Sequence, residues 1–481
     1  MLSKEEIAFF IMEDASSERK SQAKVGQRYY DGEHDILNYR LFYYDAEGEL
    51  QEDKTRSNIK ISHPFFTELV DQQAQYMLNG ETFVKSDIPE LQIELDKVFN
   101  DDFTSELTET ITSTVTKGFG YMYCYKNSNN NFKFENADGM GVVEVRAKDT
   151  DDNCEYVIYW YIDKNTKANK KIKRIQVWDK EKIYFYMQSD DGAIVEDDTE
   201  DINPRPHIIY RNTNDDESLY YDTLGFIPFF RLDNNRKQQS GLKPIKALID
   251  DYDLMACGLS NNIQDSAEAY FVVSGFQGDN LDELITNIKT KKHIGVDVGG
   301  GVDVKTVEIP YQARATKLAL DETNIYRFGM GFNSAQIGDG NITNVVIKSR
   351  YALLDLKCDK LEKNLKKFLR EMIQVVLNDI NDRNGTDYQQ KDVYFDFERE
   401  VITNASDNAS IKKVEADTKA VEINLLMGLA QVLPQENVIQ MICDELDIDY
   451  NEIKDKLPTN EAQESYDAMG VLNNEPPTKA S

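Results

Sequence analysis

A short acidic cluster, DDYD, occupies residues 250–253. Carboxylates at this density could hold the metal ions of a nuclease, because Mg²⁺ prefers oxygen ligands. The cluster falls, however, inside a predicted helix whose apolar stripe is already complete, so we expect Asp250 and Asp253 to point outward. A solvated helix face is therefore the favoured interpretation. A metal-dependent nuclease that uses Asp250, Asp251 and Asp253 is the alternative.

A glycine-rich segment, FGMGFNSAQIGDGNITN, occupies residues 328–344. Glycine-rich loops beside helices often cradle phosphates, but the motifs that do so also need GxxxxGK[ST] or a GxGxxG that follows a strand. No Gly-Lys-Ser/Thr occurs in the chain, and the helix predicted before this segment is not a strand. We therefore interpret its glycines as hinges of a moving loop, not as a nucleotide site.

Other catalytic and ligand-binding patterns are also missing from the sequence. The five cysteines and four histidines are scattered, with no CxxC pair, which excludes the usual zinc spacings and a disulfide framework and fits a reducing cytoplasm. No GxSxG motif is present. The segment DVGGGVDV at 297–304 lacks the carboxylate spacing of an EF-hand. We expect no catalytic residue, no cofactor and no metal site.

The charge of the chain is strongly negative. Lys and Arg number 55 and Asp and Glu number 86, so the net charge is 55 − 86 = −31 over 481 residues. A free-standing DNA-binding domain normally shows a basic face. For any single acidic residue, solubility is the favoured interpretation of this balance; the alternative is a surface that passes close to nucleic acid without holding it. Two basic patches stand out: KANKKIKR at 167–174, interpreted as a solvated hairpin turn, and KTKKH at 289–293, which could contact DNA or an acidic partner.

The hydrophobic fraction of 40% is enough for real cores, and no stretch of 18 apolar residues predicts a membrane span. The N-terminal segment predicts an amphipathic helix instead of a signal peptide. Helical spacing dominates residues 1–118, including a helix over 63–79 that Gly80 should end. Short strands rich in β-branched and aromatic residues follow over about 119–212, and the acidic loops at 190–201 and 212–222 should be mobile.

The second half of the chain predicts long helices around a small insert, so the expected fold class is α+β. Ser240 should cap a helix over about Lys243–Glu268 with one apolar stripe. The insert, 269–312, should hold a strand, a short helix and two strands joined by Gly299–Gly301. A helix over about Ala313–Tyr326 returns from it. Beyond the glycine-rich loop we expect the longest helix (about Val345–Asn381), a strand (Asp392–Glu398), helices at about 410–431 and 435–455, and a disordered tail.

Three stretches carry a resemblance to a known family. They are NIKISHPFFTELVDQQAQYMLNGE (58–81), GFIPFFRLDNNRKQQSGLKPIKALIDDYDLMACGLSNNIQD (225–265) and GDGNITNVVIKSRYALLDLKCDKLE (338–362). Their order and pattern resemble the portal proteins of tailed bacteriophages, specifically the SPP1-type family. In the third stretch Thr343-Asn344 and Val346-Ile347 replace the Ser-Gly and Ala-Leu that many members carry.

The resemblance implies the phage portal fold of wing, stem, clip and crown. The implied divisions are a wing (1–240), a stem helix (241–268), a clip (269–312), a second stem helix (313–331), a tunnel loop (332–344), a long helix with a wing strand (345–404), a crown (405–457) and a disordered tail (458–481).

The resemblance also implies a non-enzymatic ring of about twelve copies, a dodecamer, at one capsid vertex. It would be a head–tail connector and a translocation channel for double-stranded DNA during genome packaging and ejection. Implied partners are further copies of the chain, the terminase large subunit, a head-completion adaptor, and the major capsid and scaffolding proteins, with no membrane. The ring would belong to the virion, and to the host cytoplasm during assembly. A non-channel virion scaffold protein is a further alternative.

Three sets of site residues follow from the same resemblance. The tunnel loop would face DNA, and deleting residues 333–343 should leave rings intact but impair packaging. The stem would present acidic side chains to the channel, and the clip would dock the adaptor and terminase. In that order, the residues are Asn333, Ser334, Gln336, Gly338, Asp339, Gly340 and Asn341; Asp250, Asp251, Asp253 and Asp265; and Lys289, Lys291, Lys292 and His293.

Overall fold

The computed structural model describes most of the chain in two compact units. The first unit comprises Met1–Asp339 and Ser349–Val401, and the second comprises Gly340–Lys348 and Ile402–Ser481. The described residues are 1–54, 56–78, 83–127, 131–148, 154–165, 170–188, 192–211, 219–266, 270–276, 280–286, 288, 294–305, 310–333, 344–397, 399, 405–429 and 433–445.

Five helices form most of the N-terminal part of the first unit, as the sequence predicts. They are α1 (Lys4–Ser16), α2 (Glu18–Tyr30), α3 (Phe65–Met77), α4 (Pro89–Val98) and α5 (Asp101–Lys117). Local signals set their ends: Ser3 and Glu6 form a capping box, Asn100 caps α5, and Gly118 ends α5 at a φ of 97°. The predicted stop at Gly80 lies outside the described residues.

The N-terminal part also contains strands that the helical pattern did not predict. A hairpin joins β1 (Phe42–Tyr44) to β2 (Leu50–Glu52), and β3 (Val84–Lys85) pairs with a strand from the far end of the unit. All six residues of the hairpin strands are exposed. Strands this short give little periodic signal, which is why sequence patterns miss them.

The predicted antiparallel region is confirmed as two sheets and a hairpin. Strands β14-β4-β5 form one sheet, β10-β9-β8-β7-β6 with β11 on β9 form the other, and β12 pairs with β13. Their bounds are β4 (Phe119–Lys126), β5 (Phe132–Ala137), β6 (Val142–Val145), β7 (Tyr156–Asn165), β8 (Lys170–Trp178), β9 (Lys182–Gln188), β10 (Ile194–Glu196), β11 (Arg205–Pro206), β12 (Ile208–Arg211), β13 (Leu219–Asp222) and β14 (Phe229–Asp233).

Two predictions in this region hold only in part. Within the segments 190–201 and 212–222, predicted as mobile loops, residues 194–196 and 219–222 form β10 and β13, whereas 190–191 and 212–218 lie outside the described residues. The basic patch at 167–174, predicted as a hairpin turn between strands, supplies Lys170–Arg174 to strand β8, which pairs antiparallel with β7, and residues 167–169 lie outside the described residues. Cross-strand pairing explains the patch, because the Lys173 ammonium lies 4.3 Å from the ring centroid of Trp160 and Arg174 binds Asp163 at 2.8 Å.

The rest of the first unit follows the predicted order of elements. It comprises α6 (Lys246–Ser266), β15 (Tyr270–Phe276), α7 (Leu281–Thr286), β16 (Val296–Lys305), α8 (Tyr311–Gly329), α9 (Asn344–Asn384, of which residues 344–348 belong to the second unit) and β17 (Tyr394–Phe395), and β17 pairs with β3. The Ser240 hydroxyl accepts from the Leu242 amide at 3.1 Å, so Ser240 caps a turn that precedes α6 instead of the helix itself. The second unit contains α10 (Ala405–Gly428) and α11 (Gln435–Glu445).

The insert differs from its prediction in one respect. Residues 296–305 form a single strand that runs through Gly299–Gly301, not two strands joined by these glycines. The glycines suit an irregular pairing: Gly275 and Gly299 have φ of 70° and 94°, and a Cβ on Gly300 would lie 2.5 Å from the Ser274 carbonyl oxygen.

The main core of the first unit lies along α9. Eight residues of its predicted stripe are at most 2% exposed, which confirms that stripe: Leu354, Cys358, Leu361, Leu365, Phe368, Met372, Val376 and Ile380. They join buried residues of α3, α5 and β14, such as Leu69, Ile111 and Leu232, in one cluster. The chain is therefore α+β, and in its described part no helix is long and apolar enough to cross a membrane.

Candidate functional site on the paired helices

Helices α6 and α8 pack side by side and flank the insert. Asp251 of α6 forms an ion pair with Lys317 of α8. Further along α6, Gly258 lies next to Arg314 of α8: a Cβ atom added to this glycine would be 3.1 Å from the Arg314 guanidinium. Gly329, at the end of α8, lies against Ile245, just before α6 begins. In these contacts the residue number along α8 falls as the residue number along α6 rises, so the two helices run antiparallel.

A lysine joins the two helices electrostatically. The Lys317 ammonium lies 2.5 Å from the Asp251 carboxylate and also binds Asp321 one turn along its own helix. Hydrogen bonds that the ammonium donates to these two carboxylates raise the pKa of Lys317. Asp321 is buried, whereas the side chain of Asp251 remains 45% exposed. This ion pair links the two helices at their surface and leaves Asp251 accessible to solvent.

Asp253 lies on the opposite side of α6 and is completely buried. One carboxylate oxygen lies 2.6 Å from His34 Nδ1, and the other lies 2.7 Å from His63 Nδ1 and accepts from the His63 amide at 3.0 Å. Burial works to raise the pKa of Asp253, but the hydrogen bonds from His34 and His63 outweigh it and hold the pKa below its usual value.

His34 packs directly against this carboxylate. It is fully buried, and its second ring nitrogen, Nε2, faces the carbonyl oxygen of Tyr29 at 3.2 Å. The Tyr29 ring stacks on it at 4.5 Å between centroids. The buried Asp253 is thus paired, which is the condition for keeping a carboxylate out of water.

Asp250 belongs to a second, half-exposed network at the start of α6. It accepts a hydrogen bond from the Tyr29 hydroxyl, and the Lys246 ammonium lies 2.7 Å from it. Lys246 also binds Asp35 at 2.6 Å. Burial works against the charged form of Asp35, but Lys246 and Arg28 outweigh it and lower its pKa to about 2.

An extended segment, residues 57–63, lies along α6, and we call it the strap. Four side chains of α6 accept hydrogen bonds from alternate backbone amides of the strap. The acceptor atoms are Asp265 Oδ1 for Ser57 (3.1 Å), Asn261 Oδ1 for Ile59 (2.6 Å), Cys257 Sγ for Ile61 (3.2 Å) and Asp253 Oδ1 for His63 (3.0 Å).

This geometry corrects the predicted role of one aspartate. Asp253 cannot face a channel or any solvent, because its side chain is buried, so the expectation that it points outward was wrong. Asp250 and Asp251 are half-exposed, and Asp265 is exposed although it holds the strap. The apolar stripe does not account for the whole buried face of α6, because Asp253 and Cys257 also face inward.

The nuclease alternative gains no support from these residues. Among the described residues, no group of three or more His, Cys, Asp or Glu side chains is arranged to hold a metal ion. Asp250, Asp251 and Asp253 are instead each bound by Lys or His side chains and point to different sides of α6.

The start of the glycine-rich loop is fixed to two other helices. Gln72 of α3 bonds both backbone groups of Phe332, at 2.8 and 3.0 Å, and the Phe332 ring stacks on Tyr351 of α9 at 4.5 Å. The Asn333 amide donates to Glu322 at 3.0 Å. The remaining predicted loop residues, Ser334, Gln336, Gly338, Asp339, Gly340 and Asn341, lie outside the described residues.

Close packing accounts for the first two glycines of this segment. A Cβ on Gly329 would lie 2.6 Å from one methyl carbon of Leu69, and a Cβ on Gly331 would lie 2.0 Å from the other. Neither glycine has a positive φ. The residue with a positive φ at this bend is Met330, which lies between them and has a φ of 55°. Gly329 and Gly331 are thus required by their contact with Leu69 and are not hinges.

The insert is described only in part. Strands β15 and β16 pair from Tyr270 with Lys305 to Ser274 with Gly301, and α7 lies between them in the sequence. The predicted docking residues Lys289, Lys291, Lys292 and His293 lie outside the described residues.

Sequence reasoning missed the strap and both histidines. A signal was present on α6, since Asp253, Cys257, Asn261 and Asp265 recur every four residues and can all accept hydrogen bonds. No pattern in the strap itself points to α6, because its bonding uses backbone amides.

Similarity to known proteins agrees with the order of these elements. Residues 10–442 match the family described as "Phage portal protein, SPP1 Gp6-like". The portal protein of Bacillus phage SPP1 is 27% identical over 346 residues, which cover 72% of this chain and 67% of that protein. The portal protein of Clostridium phage phiCD119 is 23% identical over 428 residues, 85% of this chain and 88% of that protein. The chain therefore belongs to the SPP1-type family of phage portal proteins.

Proposed function

We propose that copies of this chain close into a ring at one vertex of the capsid and conduct double-stranded DNA during packaging and ejection. The observation that carries this proposal is the exposed apolar surface of the helix pair. Five large apolar side chains of α6 and α8 are 43–63% exposed in the single chain: Leu254, Ile263, Tyr311, Leu320 and Phe328. Apolar side chains concentrated on two neighbouring helices are typical of an interface.

The expected partner for this surface is a different face of the helix pair on the next copy. The predicted stripe of α6 supports this, because Ile245 and Ile249 are buried within the chain whereas Ile263 at the other end is exposed. A contact between two different faces of the same chain repeats from copy to copy and closes into a ring when the rotation permits, here with about twelve copies.

The charge of the chain supports a conduit. A surface with a net charge of −31 repels the phosphate backbone, so DNA can slide past without being held at many points. In this proposal α6 and α8 form the stem, residues 332–344 the tunnel loop, and Asp250, Asp251 and Asp265 contribute acidic groups towards the channel. The ring itself has no catalytic role, and a separate motor supplies the energy.

The remaining parts take the roles that the family suggests. Residues 1–240 with 345–404 form the wing, residues 269–312 form the clip, and residues 405–457 form the crown. The clip docks the terminase large subunit during packaging and a head-completion adaptor afterwards. Further partners are the major capsid and scaffolding proteins. The ring is part of the virion and assembles in the host cytoplasm.

The decisive experiment is imaging of the purified full-length chain by negative-stain electron microscopy, with native mass spectrometry. Rings of about twelve copies with a central hole are expected. The variant Leu320→Asp places a charge in the proposed contact and should abolish rings. The matched control is Ile93→Asp on α4, which alters a side chain of similar exposure (60% against 56%) and should leave rings intact.

Three outcomes would contradict the proposal. A monomer or dimer under all conditions would exclude a ring. Large assemblies without a central hole would favour the alternative of a scaffold protein. Rings that tolerate Leu320→Asp but not Ile93→Asp would show that copies meet elsewhere.

A further inference from the structure

One face of α9 is basic, in contrast to the acidic balance of the chain. Four exposed residues recur at positions i, i+3, i+7 and i+10, which places them on one side of the helix; we call them the basic strip. The residues of the basic strip are Lys360, Lys363, Lys367 and Arg370.

The acidic residues of this part of α9 do not neutralise the basic strip. Arg399 binds three of them on the neighbouring side of the helix, at 3.7 Å from Asp355, 2.7 Å from Asp359 and through a hydrogen bond to Glu362. Glu371 stands at the end of the strip, 3.9 Å from Lys367. The strip therefore presents four positive groups, with Glu371 at its end and the exposed carboxylate of Asp359, which Arg399 binds, at its side.

A neighbouring turn extends the positive surface. The Gln390 amide donates to the Arg370 carbonyl oxygen at 3.1 Å, which holds residues 390–392 against α9. A cleft of about 460 Å³ lies between them, and its lining includes Lys366, Arg370 and Lys391. Lys391 is exposed, so the positive surface continues from α9 across this cleft.

The composition of the surface indicates which partner it fits. Between Lys357 and Glu371 no exposed residue is apolar, and lysine predominates; the nearest exposed apolar side chains are Leu356, one turn before Lys360, and Tyr394, which lines the cleft. Protein interfaces are depleted in lysine and enriched in aromatic side chains, whereas lysine is a common partner of phosphate groups. A polyanion with regularly spaced charges therefore fits this surface better than a folded protein does.

We propose that the basic strip, with Lys391, binds the phosphate backbone of double-stranded DNA. The strip spans ten residues, about 15 Å of helix, and duplex DNA offers about four phosphates per strand over that length. The contact is independent of sequence and weakens with salt. It deepens the proposed function by adding a DNA contact outside the stem and tunnel loop, and ring formation does not depend on it.

The test is DNA affinity at several salt concentrations. A labelled random-sequence duplex of about 30 base pairs is titrated with full-length protein, and fluorescence anisotropy gives the dissociation constant. The variant Lys360→Gln/Lys363→Gln/Lys367→Gln should weaken binding by about ten- to a hundredfold at 0.1 M salt. It should also reduce the slope of log K against log salt by about 3, since each phosphate contact contributes about 0.9.

The matched control removes the same charge elsewhere. The variant Lys180→Gln/Lys237→Gln/Lys243→Gln changes three exposed lysines outside the strip and gives the same net charge, −31 − 3 = −34. Its affinity and salt slope should remain near wild type. Polyglutamate added as a competitor should displace DNA only weakly, because its carboxylates lack the phosphate spacing.

Each contrary outcome is informative. If both variants lost the same DNA affinity, the net charge of the chain alone would explain the loss, and the proposal would be overturned. No binding by the wild-type chain at low salt would do the same. If the strip variant loses rings but not DNA affinity, the strip faces another copy of the chain, whereas intact rings with unchanged affinity would refute the strip and leave the proposed ring in place.

Discussion

Asp253 shows how one residue type can have opposite roles on the same helix. Its carboxylate is buried between His34 and His63, whereas that of Asp251, two residues earlier, meets Lys317 at the surface. A buried pair is costly to break because the remaining charge has no water to solvate it. A surface pair contributes little, since solvent screens it. The same substitution should therefore have very different effects at the two positions.

The substitution Asp253→Asn should lower the free energy of unfolding by about 3–5 kcal/mol, because His34 and His63 lose the buried carboxylate that both of them contact. Asp251→Asn is the matched control and should cost less than about 1 kcal/mol. Urea denaturation of the full-length chain measures both. Equal effects would show that the buried charge pair is not formed.

The pH dependence of Asp253 has a defined sign. Its pKa is lower in the folded chain than the value near 3.9 of an unfolded aspartate, so its stabilisation is present above about pH 4 and disappears as the pH falls through the folded value. The stability gap between wild type and Asp253→Asn should therefore narrow as the pH is lowered from 6 to 3. A gap that widens in acid would exclude an ionised Asp253.

Substitution of Gly331 tests whether close packing or backbone flexibility is the reason for a glycine at this position. The side chain of Leu69 is 1% exposed, so it cannot move away from an added methyl group. Gly331→Ala should cost about 1–3 kcal/mol, and most of that cost should vanish when Leu69→Ala is also present. Gly428→Ala, where a Cβ meets open space, should change stability by less than about 0.5 kcal/mol. If Gly331→Ala had no cost, the hinge interpretation would return.

At the scale of elements, α6 and the strap fit because their repeats match. Four residues of helix rise about 6.0 Å, and two residues of an extended segment advance about 6.6 Å. Every fourth side chain of α6 can therefore reach every second amide of the strap. The match satisfies four backbone amides without a partner strand, and it ties the N-terminal part of the chain to α6.

The substitution Asn261→Ala should release a single rung of this ladder. The Ile59 amide should exchange its hydrogen about five- to tenfold faster, which corresponds to a loss of about 1 kcal/mol. Hydrogen exchange followed by mass spectrometry measures this. Asn262→Ala removes the same side chain one residue along the helix and should leave Ile59 unchanged. Equal protection in both variants would contradict the ladder.

For the whole molecule, we propose that the loop after α8 serves DNA transport and not ring assembly. Its first residues are anchored by Gln72 and Tyr351, and this anchor belongs to the fold of each copy. Deletion of residues 333–343 should therefore leave rings that are normal by negative stain, while packaging of DNA in a terminase-driven assay should fall. Loss of rings on this deletion would show that the loop is part of the contact between copies.

The fold class and most of the helices follow from the amino-acid sequence alone. The apolar period of α9 runs from Leu354 to Ile380 and identifies both the helix and its buried face, because this signal depends only on spacing along the chain. The strands of 119–212 were similarly evident. The absence of nucleotide-binding motifs and the family resemblance also come from the sequence alone.

Which polar residues are buried follows only from the tertiary structure. His34 lies 29 residues before His63, and His63 lies 190 residues before Asp253, so nothing in the local sequence shows that the three side chains meet. The packing of Gly329 and Gly331 on Leu69, and the pairing of the strap with α6, are likewise contacts between distant segments. Spacing along the chain predicts which face of a helix is apolar, but the partner that covers the face is fixed only by the folded arrangement of the whole unit.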